Sequence, residues 1–121
     1  MIDLIIDKNI TVIEAMRKLD LCAKKILLVV ENNRLCGVIT DGDIRRWILK
    51  NGDLNEKVEK IMNKKPIILN LKRKNKALDL MLEHNIEAIP LVDDNGILKS
   101  IVFWNELDKG NVKKVEKIDI P

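Results

Sequence analysis

Apolar positions follow a three-four spacing in some stretches and run continuously in others, and the same succession of the two occurs twice. Val12, Ala15, Met16 and Leu19 share one face of a helix, which the spacing predicts to end near Cys22. Thr11-Val12-Ile13-Glu14 has the form of a capping box that opens it. Residues 26–30 are an unbroken β-branched and leucine run, Glu31-Asn32-Asn33-Arg34 supplies turn chemistry, and residues 35–40 form a second run, which together predict a β-hairpin. Residues 43–50 then read as a helix with Ile44, Trp47 and Ile48 on one side, ending at Asn51-Gly52, where left-handed backbone is cheap. With a strand before the first helix, the unit is βαββα.

Asp53-Leu54-Asn55-Glu56 is expected to open another capped helix, with Val58, Ile61 and Met62 inward and Pro66 stopping the connection. From Ile67 the pattern restarts: a strand at 67–71, a helix at 75–84, a strand at 89–92, a turn at Asp93-Asp94-Asn95-Gly96 and a strand at 97–103. Ala15 aligns with Ala77, Leu19 with Met81 and Val30 with Val92 at an offset of 62, which becomes 63 after the second turn. An insertion confined to a turn, between matched apolar faces, is what two copies of one packed unit tolerate. The expected division is residues 1–52, a connecting helix and linker at 53–66, residues 67–110, and a tail at 111–121 that leads toward a further domain. A half-unit of about 55 residues has a marginal core alone. The expected fold class is therefore α+β, with two βαββα repeats packed about a pseudo-twofold axis and two related clefts where the strand-to-helix corners meet.

At 121 residues and 46% apolar content the chain has room for one ordinary core, which excludes a large multidomain enzyme. The formal charge of +3, from 22 basic and 19 acidic residues, is too balanced to indicate a partner. The basic residues between Lys57 and Lys76 lack the aromatic side chains that stack on bases, so they read as a solvated face and not as a nucleic-acid surface. Cys22 and Cys36 form no metal or redox spacing, and neither a signal peptide nor an apolar run near 18 residues occurs, which points to a cytoplasmic setting without membrane insertion.

The segment Gly37-Val38-Ile39-Thr40-Asp41-Gly42-Asp43-Ile44-Arg45-Arg46 carries the candidate chemistry. An ionised Asp43 accepts two hydrogen bonds, as a vicinal diol requires, and a helix start offers unpaired amides and positive dipole character to phosphate. Gly42 permits close approach to the backbone, whereas Asp41 repels phosphate unless it points away. The same residues also fit a threonine cap with an acidic residue three positions on, which stabilises a helix with no ligand. The second copy of the corner has Phe103, Trp104 and Glu106 at the corresponding places. Asp41, Asp43 and Asp53 match no metal loop, and His84 has no nucleophile spacing around it, so neither a metal site nor a catalytic residue is expected.

These features, with Ile86-Glu87-Ala88-Ile89-Pro90-Leu91-Val92-Asp93 in the second copy, make nearly the whole chain similar to a cystathionine-β-synthase (CBS) domain pair, or Bateman module. The resemblance implies a regulatory module that binds AMP, ATP or S-adenosylmethionine, catalyses nothing itself and requires no cofactor. It implies Asp43 at the ribose hydroxyls, Thr40 near phosphate or ribose, and Asp41 and Gly42 beside them. The backbone at Lys24, Lys25 and Ile26 would meet the adenine edge, with Ile10 and Ala15 flanking it. The Asp-Gly-Asp-Ile-Arg-Arg version is similar to modules fused to sugar-phosphate nucleotidyltransferases and sugar-phosphate isomerases, and the strand-like end at 118–121 suits a following nucleotidyltransferase domain. Such modules associate as homodimers through their helices, for which Ile44, Trp47, Ile48 and Leu107 are candidates. The alternative is a ligand-free module that dimerises or positions a catalytic domain.

Overall fold

The computed structural model describes residues 4–108, 111–112 and 116–117. The expected strand at 118–121 lies outside the described residues. The chain divides between Pro66 and Ile67 into two compact units.

In the first unit β1 (Ile5–Ile6) runs parallel to β2 (Ile26–Glu31), which pairs antiparallel with β3 (Arg34–Thr40), and helices α1 (Val12–Leu21) and α2 (Asp41–Leu49) follow β1 and β3. Leu27, Val29 and Ile39 of the sheet meet Val12, Ala15 and Leu19 of α1 and Ile44 of α2 in one core. Full burial of each large aliphatic side chain contributes about 1.5–3 kcal/mol. The hairpin turn is two residues long, and Asn32 (φ 53°) and Asn33 (φ 65°) both occupy the left-handed region, the backbone that suits the strand twist. The register slips by one residue between Val29 and Val30, where Cys36 is left without a partner across the ladder.

The helix expected after Asp53 is absent. Val12 and Ile13, whose amides have no partner inside α1, donate instead to the carbonyls of Glu56 (2.8 Å) and Leu54 (2.9 Å), so those carbonyls are not available to a helix of their own. Asp53 turns the chain by accepting from the Asn55 amide, and only a 3₁₀ turn, Val58–Lys60, follows. Val58 is fully buried in the first core, and Asn63 exchanges two backbone hydrogen bonds with Val38 at the edge of β3. The linker thus completes the first unit. Asn51 takes the left-handed conformation (φ 61°) after α2, but Gly52 does not. Glycine is required there for space, because a Cβ would fall inside the Trp47 indole, whose Nε1 donates to the Asp53 carbonyl.

The second unit repeats the plan with β4 (Leu69–Asn70) parallel to β5 (Ala88–Val92), β5 antiparallel to β6 (Leu98–Phe103), and helix α3 (Ala77–His84) between β4 and β5. Ala77 and Met81 of α3 pack on Ile89, Leu91 and Val102. The extra turn residue is absorbed where Asp93 Oδ1 accepts from the amides of Asn95 and Ile97 and Gly96 takes φ 81°. The ladder slip recurs between Leu91 and Val92. Two expectations change here. The helix begins at Ala77, because Asn70 caps a preceding 3₁₀ run, Leu71–Lys76, that is kinked at Arg73. The closing helix of the second βαββα repeat is reduced to the 3₁₀ turn Trp104–Glu106, followed by β7 (Leu107–Asp108), which pairs with β8 (Asn111–Val112). Gly110 falls where a helix would need its second turn. Strand β9 (Glu116–Lys117) pairs with β6 at Ser100 and Ile101.

The Thr11 capping box forms as expected: the Glu14 amide donates to Thr11 Oγ1, and the Thr11 amide donates to Glu14 Oε1. That amide bond, then the Thr11 hydroxyl, hold the Glu14 carboxyl below its usual 4.5. A depressed acid stabilises the fold above its unfolded value and loses that contribution as pH falls through the folded value. Denaturant titrations should show Thr11→Ala less stable by about 1 kcal/mol at neutral pH. The penalty of Glu14→Ala should be complete above pH 4.5 and shrink below it.

Candidate functional site

Thr40 ends β3 opposite Ile26, the first residue of β2, so the chain turning into α2 lies beside the chain entering β2. Asp43, in the first turn of α2, reaches back with Oδ2 to accept the Thr40 amide at 2.9 Å and the Thr40 hydroxyl at 3.3 Å. Its other oxygen accepts from Arg46 Nη2 at 2.9 Å. The Asp43 side chain retains 15% of its exposure, against 61% for Arg46. The structure therefore brings Thr40, Asp43 and Ile26 together, and of the cap that the sequence offered as an alternative to ligand binding the half in which Asp43 accepts from Thr40 is formed.

The other expected residues distribute around this corner. Asp41 is exposed and, with Lys25, lines a groove of about 280 Å³ between α1 and α2, whose apolar floor includes Met16, Leu19 and Ile44. Lys25 adopts φ 58°, and its Nζ donates to the Leu19 carbonyl, which closes the end of α1. Lys24 is half-buried beside it. Gly42 has no positive φ, and the nearest groups a Cβ there would meet belong to the Arg46 guanidinium, with Nη1 at 3.1 Å. Ala15 has no exposed surface and belongs to the core. The Ile10 carbonyl is already taken by the Val58 amide, and its side chain packs on the same core.

Arg46 was not selected from the sequence, although an acid followed three positions later by an arginine on one helix is a readable pairing signal. The corner of the second unit keeps the same backbone device. The Phe103 amide donates to Glu106 Oε1 at 3.3 Å, and the Trp104 amide donates to the Glu87 carbonyl at 2.7 Å. Phe103 is buried, where the first unit has a half-buried hydroxyl, and Trp104 is 41% exposed. Among the described residues no group of three or more His, Cys, Asp or Glu side chains could hold a metal ion, and no helix is long and apolar enough to cross a membrane.

Residues 3–50 and 58–106 match the family model described as the CBS domain. The arabinose 5-phosphate isomerase GutQ of Salmonella typhi is 33% identical over 96 residues, which cover 76% of this chain and 29% of that enzyme, so the chain spans less than a third of its relative. Among solved structures, the CBS domain protein PAE2072 from Pyrobaculum aerophilum, complexed with AMP, superposes with a TM-score of 0.76 at 21% identity, over 88% of this chain and 83% of that one. The CBS domain pair of protein MJ0100, in complex with 5′-methylthioadenosine and S-adenosyl-L-methionine, gives a TM-score of 0.70 at 25% identity, over 85% and 82%.

Because Asp43 caps α2, its removal has a structural cost apart from any ligand. Asp43→Ala should lower the unfolding free energy by about 1 kcal/mol. Asp43→Asn, which keeps an acceptor for the Thr40 amide, should lose mainly the exposed ion pair, about 0.3–0.5 kcal/mol. Urea denaturation of both variants checks the ranking.

Proposed function

The chain belongs to the CBS-domain family, and from that premise we propose that it is a regulatory module that binds an adenine nucleotide or related adenosyl ligand and controls an attached enzyme in the cytoplasm. The observation that carries the reading is the first corner. A carboxylate is fixed by the Thr40 amide, at the start of a nine-residue helix, with its second oxygen turned to an exposed partner. Such a carboxylate can take a ribose hydroxyl, while the α2 amides and dipole favour an anionic group nearby. In this reading Asp43 and Thr40 hold the ribose side, and Gly42, beside them, has the movable Arg46 guanidinium as its near neighbour. The left-handed backbone at Lys25, with Lys24 and Ile26, presents main-chain groups to the base, and Asp41 disfavours a highly charged phosphate chain. PAE2072 with AMP, and MJ0100 with its adenosyl ligands, supply the ligand class. Of the two kinds of attached enzyme that the resemblance implies, the similarity to GutQ supports a sugar-phosphate isomerase.

The helix face supports homodimer formation as well. Leu21 and Leu49 are 87% and 75% exposed, and Ile48 is 44% exposed. The groove between α1 and α2 carries acids (Asp20, Asp41) and bases (Lys25, Arg45) around its apolar floor, a pattern complementary to itself across a twofold axis. The scaffold alternative draws on that same face and on the replaced corner at Phe103.

Calorimetric titration with AMP, ATP and S-adenosylmethionine is expected to give binding tighter than about millimolar, a loss of about 4 kcal/mol or more on the 1 M scale. Absence of heat with all three would favour the scaffold. Sedimentation should show a dimer that Leu49→Asp converts to monomer, and an unchanged distribution would remove α2 from the interface.

A further inference from the structure

Both oxygens of Asp43 are occupied in the ligand-free chain, one by the Thr40 amide and hydroxyl and the other by Arg46. The two partners differ in kind. The Thr40 bonds belong to the turn from β3 into α2 and cannot be surrendered without opening that turn. The Arg46 guanidinium ends a flexible side chain, is mostly exposed, and lies directly over Gly42, where it covers the first turn of α2. A diol that approached Asp43 would have to take the Oδ1 position from Arg46. The displaced guanidinium would remain tethered beside the helix start, a cation with five donors next to the place where a phosphate on the same nucleoside would be.

We propose, resting on the nucleotide-sensing reading above, that Arg46 is the residue that makes this module prefer a nucleotide to its nucleoside. Arg46 blocks Asp43 when nothing is bound and exchanges that carboxylate for the ligand's phosphate when a nucleotide enters. A nucleoside meets the same block and offers nothing to the released cation. A ligand can shift the Arg46 equilibrium only by what it contacts differently in the two positions, and the phosphate supplies that difference.

The test compares AMP and adenosine by calorimetry on the full chain in wild type, Arg46→Ala, Arg46→Lys and Asp43→Asn, with thermal melts to confirm folding. Arg46→Ala should bind adenosine more tightly than wild type and AMP less tightly, so that the AMP-to-adenosine affinity ratio falls at least tenfold, with Arg46→Lys between. A purely structural Asp43–Arg46 pair would move both ligands alike, so a ratio within twofold of wild type overturns the assignment to Arg46 while leaving nucleotide sensing intact. Failure of wild type to bind either ligand overturns the sensing reading, and the Arg46 assignment falls with it. Binding that Asp43→Asn leaves unchanged, at a ratio unaltered by Arg46→Ala, places the ligand elsewhere and overturns the assignment too.

Discussion

One hydrogen bond, from the Thr40 amide to Asp43 Oδ2, ties together three parts of the first unit. Thr40 closes the hairpin opposite Ile26, Asp43 opens α2, and Ile44, the next residue, enters the core. Without that bond the first turn of α2 would leave another amide unpaired, and the angle at which the helix leaves the sheet would be less defined. The site and the fold therefore share a carboxylate. A structural role and a ligand role are compatible because a carboxylate has two oxygens, and here only one is committed to backbone.

The two units show which parts of this plan are carried by the repeat and which are local. Both keep a parallel first strand, a helix that buries an alanine and a larger apolar residue one turn on, a ladder slip at the same place, and an acid that accepts the amide at the end of the last hairpin strand. They differ where side chains rather than backbone meet the surroundings. Phe103 replaces Thr40, and a 3₁₀ turn replaces α2. Among the described residues, a hydroxyl and an aspartate at a corner that leads into an α-helix occur in the first unit, at Thr40 and Asp43. The second unit uses the same geometry to hold a buried aromatic residue.

Features set by neighbours in the chain were legible in the sequence. The Thr11 box, the Asn32-Asn33 turn and the Thr40 to Asp43 bond form as their residues predict, since each depends on contacts within about four positions, and the hairpin strands extend from that turn. The segment after Asp53 misled for the opposite reason. Its capping pattern is real, but the carbonyls of Leu54 and Glu56 are claimed by α1, more than 40 positions earlier in the chain. Gly52 suggests conformational freedom, but its place is a matter of space beside Trp47. Ala15 is buried in the core, and Ile10 is half-buried with its carbonyl accepting the Val58 amide, contacts that lie far apart in the chain. An arginine three residues after an acid is common on solvated helices, and it is the position over Gly42 that sets Arg46 apart.

The claim at the centre is that Asp43 serves the helix and a ligand at once, with Arg46 standing in when the ligand is absent. A crystal structure of the chain grown with AMP tests this most directly. The account requires a ribose hydroxyl on Asp43 Oδ1, the Thr40 amide still on Oδ2, and the Arg46 guanidinium turned away to the phosphate. A nucleotide bound elsewhere, with the Asp43–Arg46 pair undisturbed, would contradict it.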